Sequence, residues 1–153
     1  VNRLRIVPLD EENATLLATS PAWAAALPAW RLSMDEGRST LLVALLDDAA
    51  VGVAQLVHEE VPEVRNVGVL ESVRGRGIGT ALMTEAERRA IPAGRLRLGV
   101  GLDNPPARRL YERLGYRPTG EVETTTYDYV DADGITHSAT ETDEEMEKDL
   151  TQP

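Results

Sequence analysis

Residues 74 to 79 read RGRGIG, three glycines and two arginines directly ahead of TALMTEAERRA, a segment with helical spacing. Glycine adopts main-chain conformations closed to other residues and lets a ligand approach the backbone. The first amides of a helix have no partner within it and lie at its positive dipole end. Guanidinium groups in turn match phosphate oxygens. Arg74, Gly75, Arg76, Gly77, Ile78, Gly79 and Thr80 therefore read as an anion site. A plain turn with exposed arginines is the other reading of the hexapeptide alone. Two phosphate loops do not fit. The P-loop needs a lysine followed by serine or threonine, whereas Gly79 is followed by Thr80 and Ala81. The dinucleotide fingerprint needs a glycine at position 80 and an acid near the end of a second parallel strand, which argues against a dinucleotide-dependent oxidoreductase.

Tyr111 is the second residue with a chemical reading. Ala107, Leu110, Tyr111 and Leu114 form one apolar stripe on a predicted helix from Pro105 to Leu114, and by that spacing Tyr111 is a core residue. Asn104 precedes Pro105 as a helix cap. The chain has no cysteine, and no serine sits in a G-x-S-x-G elbow, so no side-chain nucleophile for covalent catalysis is evident. The nucleophile has to arrive with a substrate. A base for it is sought among His58, Glu59, Glu60 and Glu63, with Glu63 the choice; a solvated hairpin end beside Pro62 is the plain reading of each. With His58 and His137 as the only histidines, no metal site is expected.

The elements that must position these residues alternate in type. RLRIV reads as a strand, DEENATLLATS as a helix, and SPAWAAALPAWRLSMDEG as a helix that Pro28 should break or kink. Trp23 and Trp30 in that Ala-rich segment read as core. STLLVALL and AVGVAQLVHEE are strands joined by DDAA, and EVRNVGVL is a strand whose Gly68 hints at a bulge. The helix at 78–90 lines up Ile78, Leu82, Met83, Ala86 and Ala90. RLRLGVGL puts Leu96, Leu98, Val100 and Leu102 on one side, Gly115 is placed to close the next helix, and TTTYDYVDADGI and EEMEKDL read as final strands. This order describes one α+β domain over 1–153 with a mostly antiparallel sheet.

Of the 153 residues, 42% are hydrophobic and 27% charged, an ordinary soluble composition without a membrane-length apolar run or an opening signal segment, and a cytoplasmic, membrane-free protein is expected. The net charge of -10 is localised: up to Gly120 fifteen arginines balance fifteen acids, and from Glu121 eleven acids face Lys148 alone. Nucleic acid, which requires concentrated positive charge, is excluded as the expected partner. A solvated tail is the plain reading of the acidic end.

NVGVLESVRGRGIGTALM resembles the signature of the GCN5-related N-acetyltransferase (GNAT) family, an apolar strand followed by R/Q-x-x-G-x-G/A opening a helix, with Arg74, Gly77 and Gly79 in the motif places. DNPPARRLYERLGYRPTGE is similar to the family's N-x-x-A-x-x-L-Y-E-x-x-G-F/Y segment, and MEKDL to its last strand. Glu71 and Val73 depart from the proline and aromatic frequent there. The resemblance implies a GNAT-like fold: a mixed, mostly antiparallel sheet of six to seven strands with about four helices on its faces, splayed between the fourth and fifth strands. It implies acetyl-CoA as co-substrate, its pyrophosphate wrapped by residues 74–80. Val67 and Val69 would flank pantetheine, with an amide near Val69 or Leu70 on the thioester carbonyl. Asn104 would contact the coenzyme, and Tyr111 would protonate the leaving thiolate, to which a phenol of pKa ~10 is matched. The family's last two strands border the acceptor side, so the acidic end implies a small, cationic amine or peptide as acceptor. A non-catalytic acyl-CoA-binding regulatory module is the alternative, and a second copy of the chain is a candidate partner.

Overall fold

The computed structural model describes residues 3–131 and 133–151. Its chain divides into two compact units: the stretch up to Leu96 joined by the segment from Asp149, and Arg97–Lys148. Among the described residues no helix is long and apolar enough to cross a membrane.

The first unit runs β1 (Leu4–Pro8), α1 (Glu11–Leu17), α2 (Pro21–Asp35), β2 (Ser39–Leu46), β3 (Ala49–Val57), β4 (Glu63–Val69) and α3 (Ile78–Ala90). Its four strands form an antiparallel meander in chain order. Asp47 and Asp48 turn between β2 and β3 with φ of 50° and 72°, the signature of the hairpin turn that matches strand twist. Asp10 starts α1 through a reciprocal cap: its carboxylate accepts from the Asn13 amide at 2.8 Å, and the Asn13 side chain accepts from the Asp10 amide at 2.9 Å.

β2 and β3 are apolar on both faces because both are covered. Leu41, Val43, Leu45 and Val53 pack with Ala14, Leu17, Leu27 and Trp30 under α1 and α2. Leu42 and Ala44, of opposite parity and fully buried, face the other side, where α3 lies along β2, β3 and β4. Pro28 does not break α2, which continues to Asp35. The prolyl ring removes one helical hydrogen bond on an exposed position, while burial of Leu27 and Trp30 on either side of it holds the helix to the core. α3 has the bounds its spacing predicts, and Ile78, Leu82, Met83, Ala86 and Ala90 are all buried.

The rest of the chain forms β5 (Arg95–Gly101), α4 (Pro105–Arg113), β6 (Arg117–Val130) and β7 (Thr136–Asp149), with β7 between β5 and β6 and antiparallel to β6. Leu96, Leu98 and Val100 are buried, but β5 ends at Gly101, and Leu102 stands 60% exposed in the turn that follows. The final strands are longer than their apolar content indicates, and the expected strand over TTTYDYVDADGI ends early. Asp131 closes a turn, its carboxylate accepting from the Asp133 and Ile135 amides at 2.9 and 3.0 Å. Length here comes from hairpin pairing, which a polar sequence does not announce.

One contact sets how closely α3 approaches the sheet. A Cβ on Gly52 would lie 3.1 Å from the Gly68 carbonyl oxygen, 3.1 Å from Leu82 Cδ1 and 3.2 Å from Ile78 Cγ2. Gly52→Ala should therefore destabilise the protein by about 1–3 kcal/mol through overpacking against backbone. Urea denaturation checks this, and an unchanged midpoint would show that α3 yields to the extra methyl.

Candidate active site

β4 carries one extra residue. Val53 pairs with Gly68 and Gln55 with Arg65, so Asn66 and Val67 together oppose Ala54. The bulge is present as expected but turns on Asn66, not Gly68: Asn66 has φ of 55°, a left-handed conformation that asparagine tolerates, and its Nδ2 donates to Gln55 Oε1 at 2.9 Å. Val67 is half-buried in the bulge. Beyond it, the Leu70 amide donates to the Val51 carbonyl at 2.9 Å. Hydrogen-bonded and non-bonded pairs alternate in antiparallel strands, so the amide and carbonyl of Val69 point away from β3. Of the two amides that could serve a thioester carbonyl, Leu70's is spent on β3 and Val69's points away from β3. Arg74 Nε donates to the Val69 carbonyl at 3.2 Å, a contact no sequence signal announces.

After β4, residues 71–73 make a 3-10 turn, and the loop to α3 needs two left-handed residues, Gly75 and Gly77, both with φ of 80°. A Cβ on either would meet nothing within 4 Å, so glycine is required for conformation and not for room. Gly77 caps α3 without a side-chain acceptor, and no acid occupies the first turn. Ile78 is 2% exposed and anchors that turn, which directs the amides of Ile78, Gly79 and Thr80 along the open helix end beside exposed Arg74 and Arg76. A Cβ on Gly79 would lie 3.9 Å from Val69 Cγ2, so loop and strand end are neighbours. Glu63 stands at the other end of β4, six residues or about 20 Å of strand from Val69, with its carboxylate bonded to Arg65.

In the second unit, the Asn104 side chain caps α4, accepting from the Ala107 amide at 3.3 Å. The helix ends in a Schellman motif: the Gly115 amide donates to the Glu112 carbonyl and the Tyr116 amide to the Tyr111 carbonyl, both at 3.0 Å, with Gly115 at φ of 101°. The fully buried Tyr116 ring meets Tyr111 edge to face, centroids 6.1 Å apart. Cap and ring contact together hold Tyr111, half-buried on its stripe, and burial pushes its phenol pKa above the ordinary value.

Some acids of these strands are held in ion pairs and others stand exposed. Glu144 bonds Arg108, and Glu145 bonds Arg97 at 3.2 Å. Glu121 and Glu123 are exposed, and Glu123 is directly opposite Asp143. Glu141 beside Tyr127 raises that phenol's pKa. His137 and Ser138 are adjacent in sequence, yet strand alternation sends them apart, His137 to Asp131 at 2.6 Å and Ser138 to Asp128 at 2.5 Å. They form no nucleophile pair. Trp30 is 7% exposed and belongs to the core, whereas Trp23 is half-buried against it. Among the described residues, no group of three histidines or carboxylates could hold a metal ion.

The family model of the Acetyltransferase (GNAT) family matches residues 9–116. The chain belongs to the GNAT acetyltransferase family. A curated relative, an uncharacterized N-acetyltransferase of Methanocaldococcus jannaschii, is 39% identical over 42% of this chain and 29% of its own. A mycothiol acetyltransferase of Corynebacterium aurimucosum is 45% identical over 35% of this chain and 18% of its own. The chain thus spans less than a third of the length of the curated relatives it matches. The crystal structure of a GNAT acetyltransferase from Elizabethkingia anophelis with acetyl-CoA bound has a TM-score of 0.69 at 18% identity, covering 95% of this chain and 97% of that one. That likeness establishes the GNAT fold, an α+β architecture with a mixed open sheet, in which the seven strands and four helices take their places.

If the GNAT loop holds pyrophosphate, Arg74→Ala with Arg76→Ala should weaken CoA binding by about ten- to hundredfold, since each removes a charge-assisted contact. Gly77→Val should weaken it as well, by straining the left-handed residue that opens α3. Isothermal calorimetry with CoA, run beside a melting curve, measures both; unchanged affinity in folded variants would take the loop out of the site.

Proposed function

We propose that the protein transfers an acetyl group from acetyl-CoA directly to a primary amine of a small, cationic molecule or peptide. The observation that carries this is the end of β4: a Val69 amide directed away from β3, next to a two-glycine loop that opens α3 at its helix N-terminus beside two arginines. Pyrophosphate would rest on residues 74–80, and the thioester carbonyl would accept from the Val69 amide. The amine nitrogen attacks the carbonyl carbon, the C–N bond forms, and the C–S bond breaks. The leaving thiolate takes the Tyr111 phenolic proton, and the nitrogen sheds its own. Glu63 would receive that proton only along a chain of several waters, because about 20 Å of strand separates it from Val69, too far for one bridging water. Asn104 would add a coenzyme contact to its cap. A raised phenol pKa suits this role, because the acid form of Tyr111 then persists to higher pH.

The exposed acids of β6, Glu121, Glu123 and Asp128, support a cationic acceptor, because a negative field concentrates ammonium groups and speeds their encounter. Release of free thiol from acetyl-CoA across a panel of amines tests the reaction, and CoA binding without thiol release from any amine would leave only an acyl-CoA-binding module. Tyr111→Phe keeps the ring packing on Tyr116 and deletes the proton, and should lower kcat by ~10²-fold. In the native enzyme the alkaline fall of kcat should come above the ordinary tyrosine pKa of ~10, because burial raises the group that must stay protonated. Equal rates for the two proteins would return Tyr111 to a packing role. Glu121→Gln, Glu123→Gln and Asp128→Asn combined should raise the amine KM more than the acetyl-CoA KM. The native amine KM should rise with salt, since exposed charge is screened over ~10 Å at 0.1 M.

A further inference from the structure

A line of side-chain hydrogen bonds runs from the end of α2 to the bulge of β4. α2 closes in a Schellman motif, with the Arg38 amide donating to the Ser33 carbonyl at 2.8 Å, the Gly37 amide to the Met34 carbonyl at 3.0 Å, and Gly37 at φ of 72°. The chain turns back at once, and Ser39, the first residue of β2, returns beside Ser33. Their hydroxyl oxygens lie 2.6 Å apart, with the two residues buried at 8% and 4% exposure. Gln55 on β3 pairs with Leu41, which places its side chain on the α1–α2 face, diagonal to Ser39. Its Nε2 donates to Ser39 Oγ at 3.1 Å, and its Oε1 is the atom that accepts from Asn66. Ser33, Ser39, Gln55 and Asn66 are thus joined without a gap across α2, β2, β3 and β4.

We propose that Ser33, Ser39 and Gln55 are positioning residues for acetyl transfer: they hold the Asn66 bulge and, through it, the direction of the Val69 amide. The proposal rests on the acetyl-transfer reading, in which that amide meets the thioester carbonyl. A residue other than glycine stays in the left-handed region only where its surroundings hold it there. Asn66 is exposed, and the hydrogen bond to Gln55 ties its side chain to the sheet. A glutamine side chain has several rotamers of its own, so it offers a fixed acceptor only when its amide is held at the other end. Ser39 holds it. Two buried hydroxyls would be costly without partners, and here they satisfy each other while Ser39 Oγ still accepts from Gln55. Without Gln55, Asn66 is released toward extended backbone, the bulge closes, and the Val69 amide is drawn to β3.

Steady-state kinetics beside calorimetry with CoA test the assignment. Gln55→Leu should lower kcat by about tenfold, because it misplaces a donor that meets the transition state. CoA affinity should stay within about twofold of native, since the glycine loop is untouched. Gln55→Glu still accepts from Asn66 and can take the Ser39 hydroxyl proton, so its kcat should stay within about twofold of native. Ser39→Ala frees the glutamine amide and should lower kcat by about threefold or more. Asn66→Gly supplies the left-handed conformation without a side chain. In that background Gln55→Leu should change kcat by less than about twofold, the sign that Gln55 acts through Asn66. An equal loss in both backgrounds would overturn the proposal, as would native kcat in folded Gln55→Leu and Ser39→Ala. Where a melting curve shows Gln55→Leu unfolded, Ser39→Ala decides in the same two backgrounds. Should native protein release no thiol with any amine, the transfer reading fails, and hydrogen exchange decides the relay by itself. Gln55→Leu should then speed exchange of the Leu70 amide, bonded to the Val51 carbonyl, by about tenfold and leave the amides of α3 at native rates. Unchanged exchange at Leu70, or equal acceleration in α3, overturns the relay.

Discussion

The hydrogen-bond parity of β4 is the constraint on which the candidate site depends. An antiparallel strand offers its amide and carbonyl to its partner at every second residue and to the outside at the others. Had β4 no bulge, the register at Gln55 and Arg65 would carry Val69 opposite Val51, where its amide would be consumed. The extra residue at Asn66–Val67 moves Leu70 to that position, and Val69 faces outward. The same shift sends the Val69 side chain to the α3 face and Gly68 to the α1–α2 face. A single left-handed asparagine, held by Gln55, thus decides which main-chain groups β4 turns away from β3 and which side chains flank them.

The loop acts with that strand end because α3 is seated closely. Gly52 lets Ile78 and Leu82 sit against β3 and the Gly68 carbonyl, and the buried Ile78 sets where the first turn begins. Gly75 and Gly77 then reverse the chain without side chains crossing the open helix end. Charge is added by Arg74 and Arg76, but Arg74 is partly committed, since its Nε holds the Val69 carbonyl. Strand end and glycine loop are tied by one side chain, which gives Arg74 a structural contact as well as an exposed charge.

In the second unit, local chemistry places Tyr111. The left-handed Gly115 completes a cap that folds Tyr116 back onto the helix end, and the buried ring fixes the tyrosine whose phenol it touches. Lys148 lies over the Tyr116 ring, 5.9 Å from its centroid. The acids of β7 do two jobs: Glu144 and Glu145 answer Arg108 and Arg97, while the surplus remains on the exposed hairpin.

Much of this is local and therefore legible in the amino-acid order. The bounds of α3, its buried stripe, the glycine loop ahead of it, the Asn104 and Gly115 caps and the acidic end follow from periodicity, capping chemistry and composition, each of which acts within a few residues. The likeness of two segments to GNAT motifs agrees with the family match over residues 9–116. Tertiary structure decided what depends on pairing between distant residues. Pro28 is carried within α2 by core burial on both sides, and β6 and β7 extend through polar sequence because each completes the other's hydrogen bonds. RNVG indicates that β4 is irregular, but only its register against β3 shows that Asn66 bulges, that Leu70 is spent and that Val69 points away from β3. A strand's side-chain pattern is set by its own residues, whereas the direction of its free amides is set by its partner.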